Sequence, residues 1–111
     1  MIISRGSYWA LKALVYMAQT GEARTYHVAE VAEGIGGPRY AVAKALRQLA
    51  LAGIVISQRG VGGGFFLGRA PQGISLLQVC QAVNDRVLSS EREPHRDDSP
   101  TIAALHRFVA S

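Results

Sequence analysis

Apolar side chains recur at helical spacing in five stretches of the chain and as continuous runs in two short ones. Tyr8, Leu11, Val15 and Ala18 form the first stripe, after Ser4 or Ser7 as cap and before Gly21 as stop, so a helix is predicted over about residues 5–20 with Trp9 and Lys12 on its other face. Val28, Val31, Ala32 and Ile35 make a short second helix, broken at Gly34-Ile35-Gly36-Gly37. Pro38 suits the first position of a third helix, whose inner stripe is Val42, Ala45, Leu46 and Leu49 and which ends by Gly53. That stripe leaves Arg39, Tyr40, Lys44, Arg47 and Gln48 on other faces. Two helices joined by a glycine turn make a helix-turn-helix candidate.

The apolar runs follow. Ile54-Val55-Ile56 and Phe65-Phe66-Leu67 flank Gly60-Val61-Gly62-Gly63-Gly64, which reads as a β-hairpin with a glycine-rich tip. Ser75 caps a fourth helix with the stripe Leu76, Val79, Cys80 and Val83, ending near Asn84. Residues 85–99 are polar and charged and read as a loop or linker. Ser99-Pro100 then starts a last helix over 100–111, with Ile102, Leu105, Phe108 and Val109 on one side. Such a helix at the end of a small domain predicts a homodimer built on those four residues; the alternative is that it folds back on the first helix of its own chain.

Composition narrows the class. With 111 residues, 49% of them apolar and 18% charged, the chain makes one domain with a core. No stretch reaches the roughly 20 apolar residues of a membrane span, so no membrane partner is expected. One cysteine, Cys80, rules out an intrachain disulfide and a thiolate zinc site and fits a reducing cytoplasm.

Charge is uneven. Residues 1–70 carry eight basic and three acidic side chains, while 71–111 balance at −1. The window 34–70 holds five cations and no carboxylate, as expected of a surface that faces phosphates; a solvated solubilising face is the alternative.

Catalytic templates fail. Phe65 stands where a dinucleotide fingerprint beginning at Gly60 needs glycine, and no Gly-Lys-Ser/Thr follows. His27, His95 and His106 lack metalloenzyme spacing, there is no Gly-x-Ser-x-Gly elbow, and no enzymatic activity is expected. A basic helix beside a basic hairpin fits double-stranded DNA better. A helix fills the major groove, and a tip without side chains lets Arg59 reach the minor groove while Gly60 keeps the backbone close to phosphates. Arg39 and Tyr40 could reach base edges, Lys44, Arg47 and Gln48 bases or backbone, and Ser4 and Arg5 a phosphate.

At these residues the chain resembles the Rrf-two family of bacterial winged-helix regulators. The wing segment Leu49-Ala50-Leu51-Ala52-Gly53-Ile54-Val55-Ile56-Ser57-Gln58-Arg59-Gly60-Val61-Gly62-Gly63-Gly64-Phe65-Phe66-Leu67-Gly68-Arg69 matches its signature almost position by position. Ser4-Arg5-Gly6-Ser7-Tyr8-Trp9-Ala10-Leu11, Val28-Ala29-Glu30-Val31-Ala32 and Ile74–Val83 agree as well, so the resemblance spans about residues 1–84. It implies a mainly α fold with a small β-hairpin: a winged helix-turn-helix DNA-binding domain over 1–84, a loop over 85–99 and the start of a dimerisation helix over 100–111. It further implies a dimeric transcription regulator, usually a repressor, on pseudo-palindromic operators.

Many such regulators sense iron–sulfur status, nitric oxide or redox state through three cysteines between the fourth helix and the dimer helix. Asp85–Ser99 contains none, so no cofactor and no iron–sulfur cluster is expected. Cys80 could serve as a redox sensor, although its place on an inner stripe favours an inert core thiol. Ala41, Val42 and Ala43 stand where relatives often carry polar groups, which raises the alternative of a winged-helix protein-interaction module without sequence-specific readout.

Overall fold

The computed structural model describes residues 3–83 and 98–109, with side chains in the last helix as far as Leu105. The linker assigned to 85–99 therefore lies outside the described residues up to position 97, as do His95 and the side chains of His106, Phe108 and Val109. Among the described residues five helices and one hairpin follow in chain order: α1 (Arg5–Thr20), α2 (Val28–Ile35), α3 (Arg39–Leu51), β1 (Val55–Gln58), β2 (Gly64–Leu67), a single 3-10 turn at Pro71–Gly73, α4 (Leu76–Val83) and α5 (Ile102–Val109). No described helix is long and apolar enough to cross a membrane.

Helix α1 is the hub, packed by α2, α3, α4 and α5. Ser4 Oγ accepts from Ser7 N at 3.1 Å and caps it, and Gly21 ends it at φ 66°. Its buried face differs from the predicted stripe. Ala10, Ala13, Leu14, Val15 and Met17 are buried, whereas Tyr8 is exposed and Leu11 and Ala18 are half-buried. A helix covered on several sides has apolar residues nearly all round, so periodicity locates its face poorly, and the small Ala10 and Ala13 admit close neighbours.

The α3 stripe holds in full, while in α2 and α4 Val31, Ala32, Val79 and Cys80 are buried and Val28, Ile35, Leu76 and Val83 are half-buried. Val42, Ala45, Leu46 and Leu49 are fully buried along α3, and each large aliphatic side chain there contributes about 1.5–3 kcal/mol by leaving water. Gly36, at φ 70°, lies between α2 and α3 as the residue that turns the chain, and the N–H of Gly37 donates to Ala32 O at 2.9 Å. Pro38 is the cap residue of α3 rather than its first helical residue.

The hairpin pairs antiparallel, Val55 opposite Leu67 and Gln58 opposite Gly64. It does not stand alone. Tyr26, in the loop between α1 and α2, donates to Phe65 O at 2.7 Å and accepts from Phe65 N at 2.9 Å, adding one residue of a third strand. Gly64 passes so close to the Tyr26 carbonyl that a Cβ there would collide with it.

The start of α5 is tied to the start of α4. Ser75 and Gln78 form a reciprocal capping box: Gln78 N donates to Ser75 Oγ at 3.1 Å and Ser75 N to Gln78 Oε1 at 3.0 Å. Leu76 N donates to Pro100 O, Ile102 N to Ile74 O, and Leu77 N to Ser99 Oγ. Thr101, not Ser99, caps α5, accepting from Ala104 N at 3.2 Å.

The predicted four-residue dimer face is corrected here. Ile102 is fully buried in the core of its own chain and Leu105 packs against that core, because α5 folds back on α1. Ile102 therefore has no surface to offer a second subunit.

Candidate nucleic-acid interface

The outer side of α3 follows from its inner one. With Val42, Ala45, Leu46 and Leu49 turned to the core, helical spacing puts Arg39, Tyr40, Lys44 and Arg47 in water, and all four are exposed, Tyr40 at 80%. The N-terminus of α1 lies beside this face. Ser4, Arg5 and Trp9 from α1 and Tyr40, Lys44 and Gln48 from α3 line one groove of about 390 Å³. Two segments that lie 35 residues apart along the chain thus share one wall.

Arg39, Arg47, Arg59 and Gly60 do not line that groove. Arg39 and Arg47 flank it on α3, while Arg59 and Gly60 are exposed at the hairpin tip. There Gly63 N donates to Gly60 O at 2.9 Å, closing a turn with Val61 fully in solvent.

Charge pairing separates these cations from Arg24. Among the described residues the ion pairs are those of Arg24 with Glu22 and Glu30, and Arg5, Arg39, Lys44, Arg47 and Arg59 make none. Arg24 also lies over the Tyr26 ring, 4.1 Å from its centroid. Its guanidinium holds the Glu30 carboxyl below the usual carboxylate range, and burial with the Glu30 charge pushes the Tyr16 phenol up. All the carboxylates of residues 1–70 except Glu33 are gathered in this cluster, which leaves the α3 and wing cations without a carboxylate partner among the described residues.

Tyr26 and Thr25 are wing-holding positions that sequence reading missed. Besides its bridge to Phe65, the Tyr26 hydroxyl donates to Glu22 O at 3.0 Å and bonds the Thr20 hydroxyl. Thr25 Oγ1 donates to Gly62 O at 2.9 Å, so two consecutive residues hold the wing at its tip and its second strand. A single bridging residue carries no period, and no local signal marks it.

Cys80 is fully buried on α4, and burial pushes its thiol up, with a Ser7 hydrogen bond pulling less strongly the other way. Reactive thiols are exposed and have lowered pKa values, so this placement is that of a core residue and not of the redox sensor entertained above. His27 stands at the cap position of α2 without a side-chain cap bond.

Residues 3–108 match the Rrf2 family, described as "Iron-dependent Transcriptional regulator". The fold is shared with CymR (YrzC), the global cysteine regulator of B. subtilis, at a TM-score of 0.80 and 18% identity, covering 97% of this chain and 98% of that one. It is shared also with T. potens IscR (TM-score 0.75, 20% identity, 98% and 88% covered) and with the oxidized form of Staphylococcus aureus CymR (0.73, 20%, 96% and 96%).

Proposed function

This chain belongs to the Rrf2 family of transcriptional regulators, and from that premise we propose that it acts as a homodimeric repressor on pseudo-palindromic double-stranded DNA. The carrying observation is the groove between the α1 N-terminus and α3, walled by Arg5, Lys44, Tyr40 and Gln48 and flanked by Arg39 and Arg47, cations with no carboxylate partner among the described residues. A helix of this width fits the major groove, where Arg39 and Tyr40 in its first turn read base edges. Ser4, Arg5, Lys44, Arg47 and Gln48 hold phosphates on either side, and Arg59 beside Gly60 enters the neighbouring minor groove.

The iron of the family's description finds no matching donor set for a cluster in this chain. A cluster is held by several thiolates, and the chain supplies one, buried and with its pKa raised. Among the described residues no three His, Cys, Asp or Glu side chains converge on one point. The regulator proposed here therefore works without an iron–sulfur cluster. In the dimer, Leu105 with Phe108 and Val109 remains as the interface, Ile102 being committed to its own core.

Selection of bound fragments from genomic DNA, followed by anisotropy titration over a salt series, tests the reading. Specific fragments should bind more tightly than mixed duplexes, with log K falling by about 0.9 per neutralised phosphate against log salt. Binding without sequence preference would favour a protein-interaction module instead. Sedimentation of the free chain as a monomer at all concentrations would remove the dimer.

A further inference from the structure

A second hollow, of about 730 Å³, shares no lining residue with the groove between the α1 N-terminus and α3. Its walls come from the end of α1 (Met17), the loop that carries Tyr26, and the hairpin with its exit (Phe66, Leu67, Pro71), the loop and the hairpin being joined by the Tyr26–Phe65 bridge. The size and the mainly apolar lining are those of a small-molecule site, where a few polar groups fix orientation.

Three charged side chains reach this hollow: Glu22, Arg24 and Arg69. Arg24 is shared between Glu22, at 2.5 Å, and Glu30, so both members of the Glu22–Arg24 pair are satisfied within the protein. Arg69 is exposed and makes no ion pair among the described residues. An apolar hollow with one uncommitted guanidinium at its edge suits a ligand with a hydrocarbon body and a carboxylate head.

We propose that this hollow binds a small apolar carboxylate and that its occupancy shifts the wing. The ligand touches Phe66 and Leu67 of the wing and the loop that tethers it at Thr25 and Tyr26, so a bound body between them changes how the tip carrying Arg59 is held. The binding site stands by itself; the consequence for DNA rests on the reading of the preceding subsection.

Amide NMR shifts of the full chain titrated with hexanoate, and with 1-hexanol as its neutral counterpart, test the site without DNA. Saturable shifts confined to residues 17–26, Gln58 and 66–71 are expected, with hexanoate bound about fivefold more tightly than the alcohol. Arg69→Gln should erase that preference and leave the alcohol's affinity unchanged, and Ala70→Trp, at an exposed wall position, should weaken both. Absence of saturation by hexanoate, shifts centred elsewhere, or an unaltered preference in Arg69→Gln overturns the site. With a bound duplex, saturating hexanoate should change affinity about fivefold. Tight hexanoate binding with unchanged duplex affinity overturns the coupling alone, and a chain that binds hexanoate but no duplex at low salt removes the DNA reading and leaves the ligand site.

Discussion

Tyr26 and Phe65 exchange two backbone hydrogen bonds, of 2.7 and 2.9 Å, and through them the loop after α1 holds the wing. Gly64 precedes Phe65 with φ 153°, its α-carbon against the Tyr26 carbonyl. Gly64→Ala would drive a methyl group into that oxygen and part the two strands. We expect faster amide exchange at Tyr26 and Phe65 in this variant, with protection along α3 retained. DNA affinity should fall in this variant and in Arg59→Ala alike, the first displacing the tip and the second removing its guanidinium. Unaltered exchange at both amides would mean that the bridge does not restrain the wing.

The fold-back of α5 makes a thermodynamic prediction. Ile102 is fully buried and its N–H donates to Ile74 O, so truncation to alanine opens a cavity at the junction of α5 with the body. Ile102→Ala should lower unfolding stability by about 2–5 kcal/mol. Because the contact lies within one chain, the loss should be the same at every protein concentration. A loss that grows on dilution, measured by denaturant unfolding, would return Ile102 to an intersubunit contact.

How far the sequence could be read depends on whether one local period decides the answer. Val42, Ala45, Leu46 and Leu49 were legible because α3 has one wet side and one dry side, and a 3.6-residue stripe is then unambiguous. The hairpin was legible because a run of glycines interrupts two apolar runs. The face of α1 was not, since a helix surrounded by four others is apolar around most of its girth. The cap of α5 was displaced by two residues because Ser99, a good cap by type, bonds Leu77 N across the chain instead. Ile102 was read outward for want of any sequence signal that α5 returns to α1. Within the candidate site, Arg39, Tyr40, Lys44 and Arg47 could be named from helix geometry, whereas the groove that Arg5 and Lys44 share, and the Thr25–Tyr26 tether, join segments far apart in the chain, which no pattern records.

Cys80 should behave as a core thiol. It is fully buried, burial pushes its pKa up, and attack by a disulfide reagent requires the thiolate to reach solvent. Labelling of the native protein should be slower than that of the unfolded chain by about a thousandfold or more, because it waits on an opening of the fold. Mild peroxide should leave it unmodified. Rapid native labelling, followed by mass spectrometry, would restore the sensor reading.

The Arg24 cluster predicts how stability responds to acid. Hydrogen bonds from Arg24 hold the Glu30 carboxyl below its ordinary range in the folded protein, and the unfolded chain loses them. A carboxyl group with a lowered folded pKa contributes stability that is fully present above the unfolded value and is lost as pH falls through the folded one. The effect should therefore be constant near neutrality and disappear in the acid range, starting at the usual glutamate pKa and continuing below it. Glu30→Gln removes the proton-linked part: its stability should lie below that of the parent near neutrality, and the gap should close as both are acidified. Since both side chains are partly exposed, added salt should narrow the gap as well. Arg24 also covers the ring of Tyr26, the residue that holds the wing, so the same variant should loosen amide protection at Phe65 more than within α3. A gap that persists unchanged into the acid range, in urea unfolding followed across pH, would show that Glu30 stabilises the fold by packing and not through its charge.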